Sequence, residues 1–181
     1  MYKDIGQDDI AEKQGNTTMT EKYTITEATA ENASAILQLY RTQLGGPADW
    51  NENYPSKETI AFDLSRQALF MMQNEEGNII AVISIDQDAE VDTLDCWSKT
   101  MVPSAELARL CVREEYKNQG ISKQMMQYAF ERLQERGMKA VHILVRSGHA
   151  AALCSYRHLG FQKVGECELF GKHFECMEKE L

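Results

Sequence analysis

The chain has 181 residues and carries 28 acidic against 19 basic side chains, a formal net charge of −9. That length builds one domain with a real core and hardly two, and the acidic balance disfavours nucleic acid as the main partner. The longest wholly apolar runs, Ile79 to Ile83 among them, are far too short to cross a bilayer, so no membrane partner is expected.

Residues 1–20 are polar and show no sustained period, and they resemble neither a secretory signal nor a transit peptide. They read as a mobile tail, which leaves 21–181 as a single domain. "KYTITEA" alternates as a short strand. "ENASAILQLYRTQLGG" follows as a helix, with Ala33, Ile36, Leu37 and Tyr40 at helical spacing and Gly45–Gly46 to end it. "PADWNENYP" is turn-rich, and Ser56 is placed to cap a second helix reaching about Arg66. "ALFMMQNEEGNIIAVISI" gives a hairpin across Asn74–Asn78. A polar loop with Trp97 and Pro103 leads to the strand "AELARLCVR", whose alternation predicts positions 106, 108, 110 and 112 on one face.

Beyond that strand the order changes. Gly120 opens a helix whose broad apolar face carries Ile121, Met125, Met126, Ala129, Phe130 and Leu133, and Gly137 stops it. "KAVHILVR" is a buried strand and "HAAALCSYRHLG" a helix. "VGECELFGKHFECMEKEL" is a closing hairpin, predicted to turn at Gly171–Lys172 with Cys167 opposite Cys176. The expected fold is α/β: a mixed, mostly antiparallel sheet flanked by helices, with one parallel pair where the crossover helix sits.

The stretch "YKNQGISKQMM" has the geometry of an anion site. The first N–H groups of a helix have no carbonyl partners, and the helix dipole adds positive charge there. Lys117, Asn118, Gln119, Gly120, Ile121 and Ser122 form this turn, with Lys123 and Arg113 close in sequence. An ordinary strand–helix connection is the plain alternative.

The same stretch resembles the acyl-CoA-binding motif R/Q-x-x-G-x-G/A of the GNAT superfamily of N-acetyltransferases. Lys117 stands for the Arg or Gln, Gly120 matches, and Ser122 stands for the last small residue. The family's last helix reads N-x-x-A-x-x-L-Y-x-x-x-G-F, and this chain has His149, Ala152, Tyr156, Gly160 and Phe161 at those offsets. His149 departs from Asn and Ser155 from Leu. The resemblance is strongest over residues 105–181. It implies a GNAT-like sheet in which strands Ala105–Arg113 and Lys139–Arg146 splay, with coenzyme A's pyrophosphate on residues 117–122. It also implies acetyl-CoA as acyl donor, a small-molecule or peptide amine as acceptor, and a fold whose small members often form homodimers.

By the same resemblance, backbone of Leu110 and Val112 holds the pantetheine arm, with an N–H near Cys111 for the thioester oxygen. Tyr156 falls where a tyrosine serves as general acid to the departing thiolate, and Glu106 falls where some members carry a general base. The plain alternatives are a solvated helix tyrosine and a strand-edge carboxylate near solvent. Trp50, Tyr54 and Trp97 lie in loops that cover the acceptor end in this fold. Cys154 and His158 share a helical face, but no third orienting group accompanies them, and buried inert thiols are expected at Cys111 and Cys154. Five cysteines without a CxxC pair read as reduced thiols, hence a cytoplasmic protein, and the four histidines show no metal-ligand spacing. Direct acetyl transfer to a primary amine is the function implied. A non-catalytic acyl-CoA-binding or sensing module is the alternative.

Overall fold

The computed structural model describes residues 18–20 and 22–181. The tail expected over 1–20 therefore lies largely outside the described residues. Thr18–Thr20 form strand β1, an antiparallel edge on β2 (Tyr23–Glu27).

The sheet runs β1-β2-β3-β4-β5-β6-β8-β7 among the described residues. Its remaining strands are β3 (Leu69–Asn74), β4 (Ile79–Asp86), β5 (Ser104–Val112), β6 (Ala140–Arg146), β7 (Gln162–Leu169) and β8 (Lys172–Glu180). All neighbours pair antiparallel except β5 and β6, which are parallel. That pair is the one bridged by a helix, α4 (Ile121–Glu135), as a parallel crossover requires. α4 buries Ile121, Met125, Met126, Ala129 and Leu133 against one face of the sheet, where α5 (Ala150–His158) adds Leu153. The other face is covered in two patches. Helices α1 (Ala33–Arg41) and α2 (Lys57–Ser65) lie over Val82 and Cys111, and α3 (Ala89–Asp92) with its following loop lies over Leu144 and Cys176. Ser56 caps α2 as expected, accepting from the Thr59 amide at 3.2 Å. No helix among the described residues is long and apolar enough to cross a membrane.

Two registers differ from the sequence expectation. The last hairpin turns at Phe170–Gly171, both with positive φ, so Leu169 pairs with Lys172 and Cys167 faces Phe174 rather than Cys176. Two left-handed residues in a row suit the tight turn whose twist matches its strands. The second difference lies in β5. Val82 pairs with Cys111 but Ser84 with Ala108, so β5 holds one residue more than β4 over this stretch. Arg109 sits in that bulge with φ +54. The extra residue breaks the alternation. Glu106, Ala108 and Cys111 share the face covered by α1–α3, whereas Val112 and Leu107 face α4.

The bulge is held by charge. The Arg109 guanidinium is buried and donates to Asp63 through Nη2 at 2.8 Å and Nε at 3.2 Å, to Asp86 at 2.5 Å and to the Tyr54 hydroxyl at 2.9 Å. Ser84 adds a bond to Asp63 at 2.8 Å. Burial lifts the Asp63 carboxyl above its ordinary range despite Arg109. Burial works upward on Asp86 too, but its bonds to Arg109 hold that carboxyl below the usual value. Removing one partner of such a buried pair strands the other charge. Asp63→Ala is expected to lower unfolding stability by about 3–5 kcal/mol, read by urea denaturation.

Candidate active site

β5 and β6 are joined by three register pairs, Ser104–Ala140, Ala105–Val141 and Glu106–His142, and part beyond the last. Past Glu106, the edge of β5 that faces β6 is left without a strand partner. Leu110, Cys111 and Val112 lie on that stretch, where the pantetheine-binding backbone is expected. The fork opens into a cavity of about 680 Å³ that Glu106, Leu110, Arg109, His149 and Tyr156 all help to line.

Beyond the end of β5 lies the turn before α4. Asn118 and Gly120 both have positive φ, at +58 and +78, and this swings the chain so that α4 begins with its amides pointing outward. The first amide to reach a carbonyl four residues back is that of Gln124, which bonds Gly120 O at 3.1 Å. A Cβ built on Gly120 would meet no atom within 4 Å, so the space beside this residue is open. Gln119 Nε2 bonds the Glu115 carbonyl at 2.8 Å, and the Lys117 ammonium lies 2.5 Å from the exposed Glu114 carboxylate. Ile121 is buried and anchors the helix, with Ser122 beside it at the surface of the first turn. His149 caps α5, its Nδ1 accepting from the Ala152 amide at 3.4 Å. Burial and then the charge of Lys117 hold its imidazole below the ordinary range.

At the other end stand the two candidate catalytic groups. Glu106 is 6% exposed, with Oε2 buried and unbonded. Burial first, then the charge of Asp86, pushes its carboxyl up to about 8, with Arg109 opposing. The strand-edge carboxylate near solvent is therefore not what the chain builds. Tyr156 projects from α5, half-buried against Phe161 on the α4 side of the sheet, and burial pushes its phenol up to about 12. Glu106 lies on the opposite face, so the two groups approach the fork from either side.

The loop aromatics divide. Trp50 and Tyr54 line the cavity, but Trp97 lies outside it, stacked on His142 at 4.5 Å. Cys111 is buried with its thiol pushed up to about 12, whereas Cys154 is exposed rather than buried. Sequence reasoning passed over Arg109, Asp63 and Asp86. Their signal was a charge in the middle of "ARLCV" and an acid on the buried side of α2, three residues after Ile60.

A sequence model described as the acetyltransferase (GNAT) family matches residues 33–161. The chain belongs to the GNAT acetyltransferase family. Among curated proteins it is 28% identical over 158 residues to an L-methionine sulfoximine/L-methionine sulfone acetyltransferase of Pseudomonas aeruginosa, covering 83% of this chain and 86% of that relative. It is 27% identical over 66 residues to the ribosomal protein bS18-alanine N-acetyltransferase of Escherichia coli, covering 36% of this chain and 45% of that one. The fold is shared with a phosphinothricin acetyltransferase from Sinorhizobium meliloti solved in complex with AcCoA, at TM-score 0.71, 19% identity and 88% of each chain. This GNAT enzyme thus has the splayed parallel pair of its family at β5 and β6.

Coenzyme A is expected to stabilise the folded enzyme by roughly 2.7 kcal/mol at about a hundred times its dissociation constant. Gly120→Val should abolish that shift in melting temperature, because φ +78 excludes a β-branched side chain and the valine would fill the open space. Circular dichroism confirms first that the variant folds.

Proposed function

We propose that this enzyme transfers the acetyl group of acetyl-CoA directly to the primary amine of a small amino-acid-like molecule. The observation that carries the reading is the fork itself, with a buried carboxylate on one face and a desolvated phenol on the other. Amides at the start of α4 hold the pyrophosphate, and backbone along 110–112 holds the pantetheine arm, bringing the thioester to the fork. Glu106 takes a proton from the acceptor nitrogen as that nitrogen bonds the carbonyl carbon. The C–S bond then breaks, and the Tyr156 hydroxyl donates to the departing sulfur. An N–H near Cys111 meets the carbonyl oxygen while charge builds on it.

A small acceptor is favoured by how the acceptor end is covered. Lys172 on the β7–β8 hairpin bonds the Asp49 carbonyl and lies 3.0 Å from its carboxylate, and Arg146 lies 3.7 Å from the same carboxylate. These contacts tie the α1–α2 loop to the hairpin across the cavity. Trp50, Tyr54, Phe62 and Phe174 line the covered space, which suits a compact substrate better than a polypeptide end. The Pseudomonas relative, named for small amino-acid substrates, supports the same class. The free thiols support a reducing, cytoplasmic setting.

Release of free thiol from acetyl-CoA tests the reading. L-methionine sulfone, L-methionine sulfoximine and phosphinothricin are expected to react at least about tenfold faster than a peptide with N-terminal alanine, in line with a pocket built for one class. A preference for the peptide would overturn the small-acceptor reading. Tight coenzyme A binding with no turnover on any amine would favour a sensing module instead.

The two catalytic groups give separate signatures. With its carboxyl at about 8, Glu106 is mostly protonated at pH 7, so kcat/KM should climb with pH and level off above about 8. Glu106→Gln is expected to lower the rate by about a hundredfold and to remove that limb. Tyr156→Phe should lower kcat by about 10²–10⁴ with coenzyme A affinity little changed, because the hydroxyl acts when charge reaches sulfur. An unchanged kcat with lowered stability would make Tyr156 structural.

A further inference from the structure

Four ionisable residues lie in one cross-strand row. Asp86 on β4 pairs in register with Glu106 on β5, Glu106 with His142 on β6, and His142 with Glu178 on β8. Directly opposed residues of neighbouring strands point to the same face, so all four side chains project toward α3 and its loop. Glu106, His142 and Glu178 are all buried. Alternation alone does not ask for such a row. Leu144 and Cys176, the next pair along on the same face, are apolar and close-packed.

The members of the row are not equivalent. Asp86 is held by Arg109 at 2.5 Å and lies 3.6 Å from Arg66. Glu178 accepts from the Ser98 amide at 3.1 and 3.3 Å. His142 is different: it is 2% exposed and neither ring nitrogen makes a hydrogen bond. Its ring is clamped flat against Trp97 at 4.5 Å, and Trp97 is itself fixed by donating Nε1–H to the Val91 carbonyl at 2.7 Å. Nε2 lies 3.4 Å from Oδ1 of Asp92, whose side chain is 47% exposed. Burial pushes the imidazole down to about 4, so this is a contact of a neutral ring with a carboxyl rather than an ion pair. Burial, then Asp88 and Asp86, lift the Asp92 carboxyl above its ordinary range, which lets it hold a proton in passing. A histidine kept only for packing would leave two buried polar atoms unsatisfied where a phenylalanine would leave none.

Position in the chain of events supplies the reason for such a residue. Glu106 and His142 form the last rung before β5 and β6 part, at the point where the thioester is expected. Once Glu106 has taken a proton from the acceptor amine, it must lose it before the next turnover; the side chain lines the cavity, but its Oε2 is buried and unbonded. Asp86, on one side, is committed to Arg109. His142, on the other, stands one strand spacing away, about 4.8 Å, a gap that a side-chain rotation or a single water closes.

Building on the assignment of Glu106 as base, we propose that His142 conducts the abstracted proton from Glu106 to Asp92 and so to solvent. The proton passes from the Glu106 carboxyl to one ring nitrogen while the other nitrogen releases its own proton to Asp92. No charged imidazolium has to persist. A half-turn of the ring within its slot against Trp97 restores the starting tautomer. Glu106 returns to carboxylate, and no other bond is made or broken. His142 acts through Glu106 and touches no substrate, so it is a positioning residue of the relay. The charged groups facing it are Glu106 from β5, Glu178 from β8 and Asp92 from α3, with Asp86 and Asp88 acting on its neighbours.

Two variants and one spectroscopic readout test this. His142→Phe keeps the ring stack and removes both nitrogens, and His142→Gln keeps hydrogen-bonding atoms but cannot exchange one proton for another. With L-methionine sulfone as acceptor, both are expected to lose kcat by about tenfold or more with KM for acetyl-CoA unchanged, and to regain rate in added imidazole buffer. Glu106→Gln should not regain it. In the ligand-free wild-type enzyme, the His142 ring nitrogens followed by ¹⁵N NMR should shift with an inflection near pH 8 that Glu106→Gln abolishes. Wild-type kcat in His142→Phe, full rescue by His142→Gln, or a flat ¹⁵N profile would each overturn the relay. A slow Glu106→Gln beside a fast His142→Phe would leave the base assignment standing and send its proton out through the pocket. A fast Glu106→Gln would remove the base assignment and the relay with it. The ¹⁵N arm requires no acceptor, so it remains decisive if L-methionine sulfone is not turned over.

Discussion

The site depends on one residue of extra length in β5. Arg109 adopts a left-handed backbone conformation that costs a non-glycine residue energy, and the surrounding charges hold it there. Asp63 from α2, Asp86 from β4 and Tyr54 from the α1–α2 loop converge on one guanidinium. The planar fork of arginine offers five N–H donors in fixed directions, against three on the rotating ammonium of lysine. The bulge thus ties the loop, the helix and two strands together, and it decides which face every later residue of β5 presents.

Two consequences follow for chemistry. With the bulge, Glu106 and Cys111 look toward the face covered by α1–α3 while Val112 seals the α4 core. Past Glu106 the edge of β5 that faces β6 is left without a strand partner. The parting is a local loss of ladder bonds. A flat, regular sheet would offer no such slot.

Electrostatics then separates roles among similar groups. Asp86 and Glu106 are neighbours on adjoining strands, yet one is held ionised by Arg109 and the other is lifted by burial and by Asp86 itself. Pairs of acids driven apart in this way are how a protein obtains a base that works near neutral pH. Val91 and Trp97 continue the same logic across β6, where burial leaves His142 neutral.

The sequence by itself determined the order of strands and helices, the crossover at α4, and the amide-rich turn at residues 117–122. These rest on local rules: hydrophobic period, caps, and glycine at positive φ. Gly120, Ala152, Tyr156 and Gly160–Phe161 lie within short segments, so their motif could be read directly. Three things were decided only by tertiary structure. A bulge shifts register by one residue, and the lone charge in "ARLCV" does not say that it will, so strict alternation put Val112 on the wrong face. The last hairpin's turn lies one residue earlier than the glycine suggests, because Phe170 takes a positive φ beside Gly171. The partnership of Asp63 with Arg109, and of Glu106 with His142, joins residues 46 and 36 positions apart, and sequence spacing says nothing about which distant side chains will share a buried face.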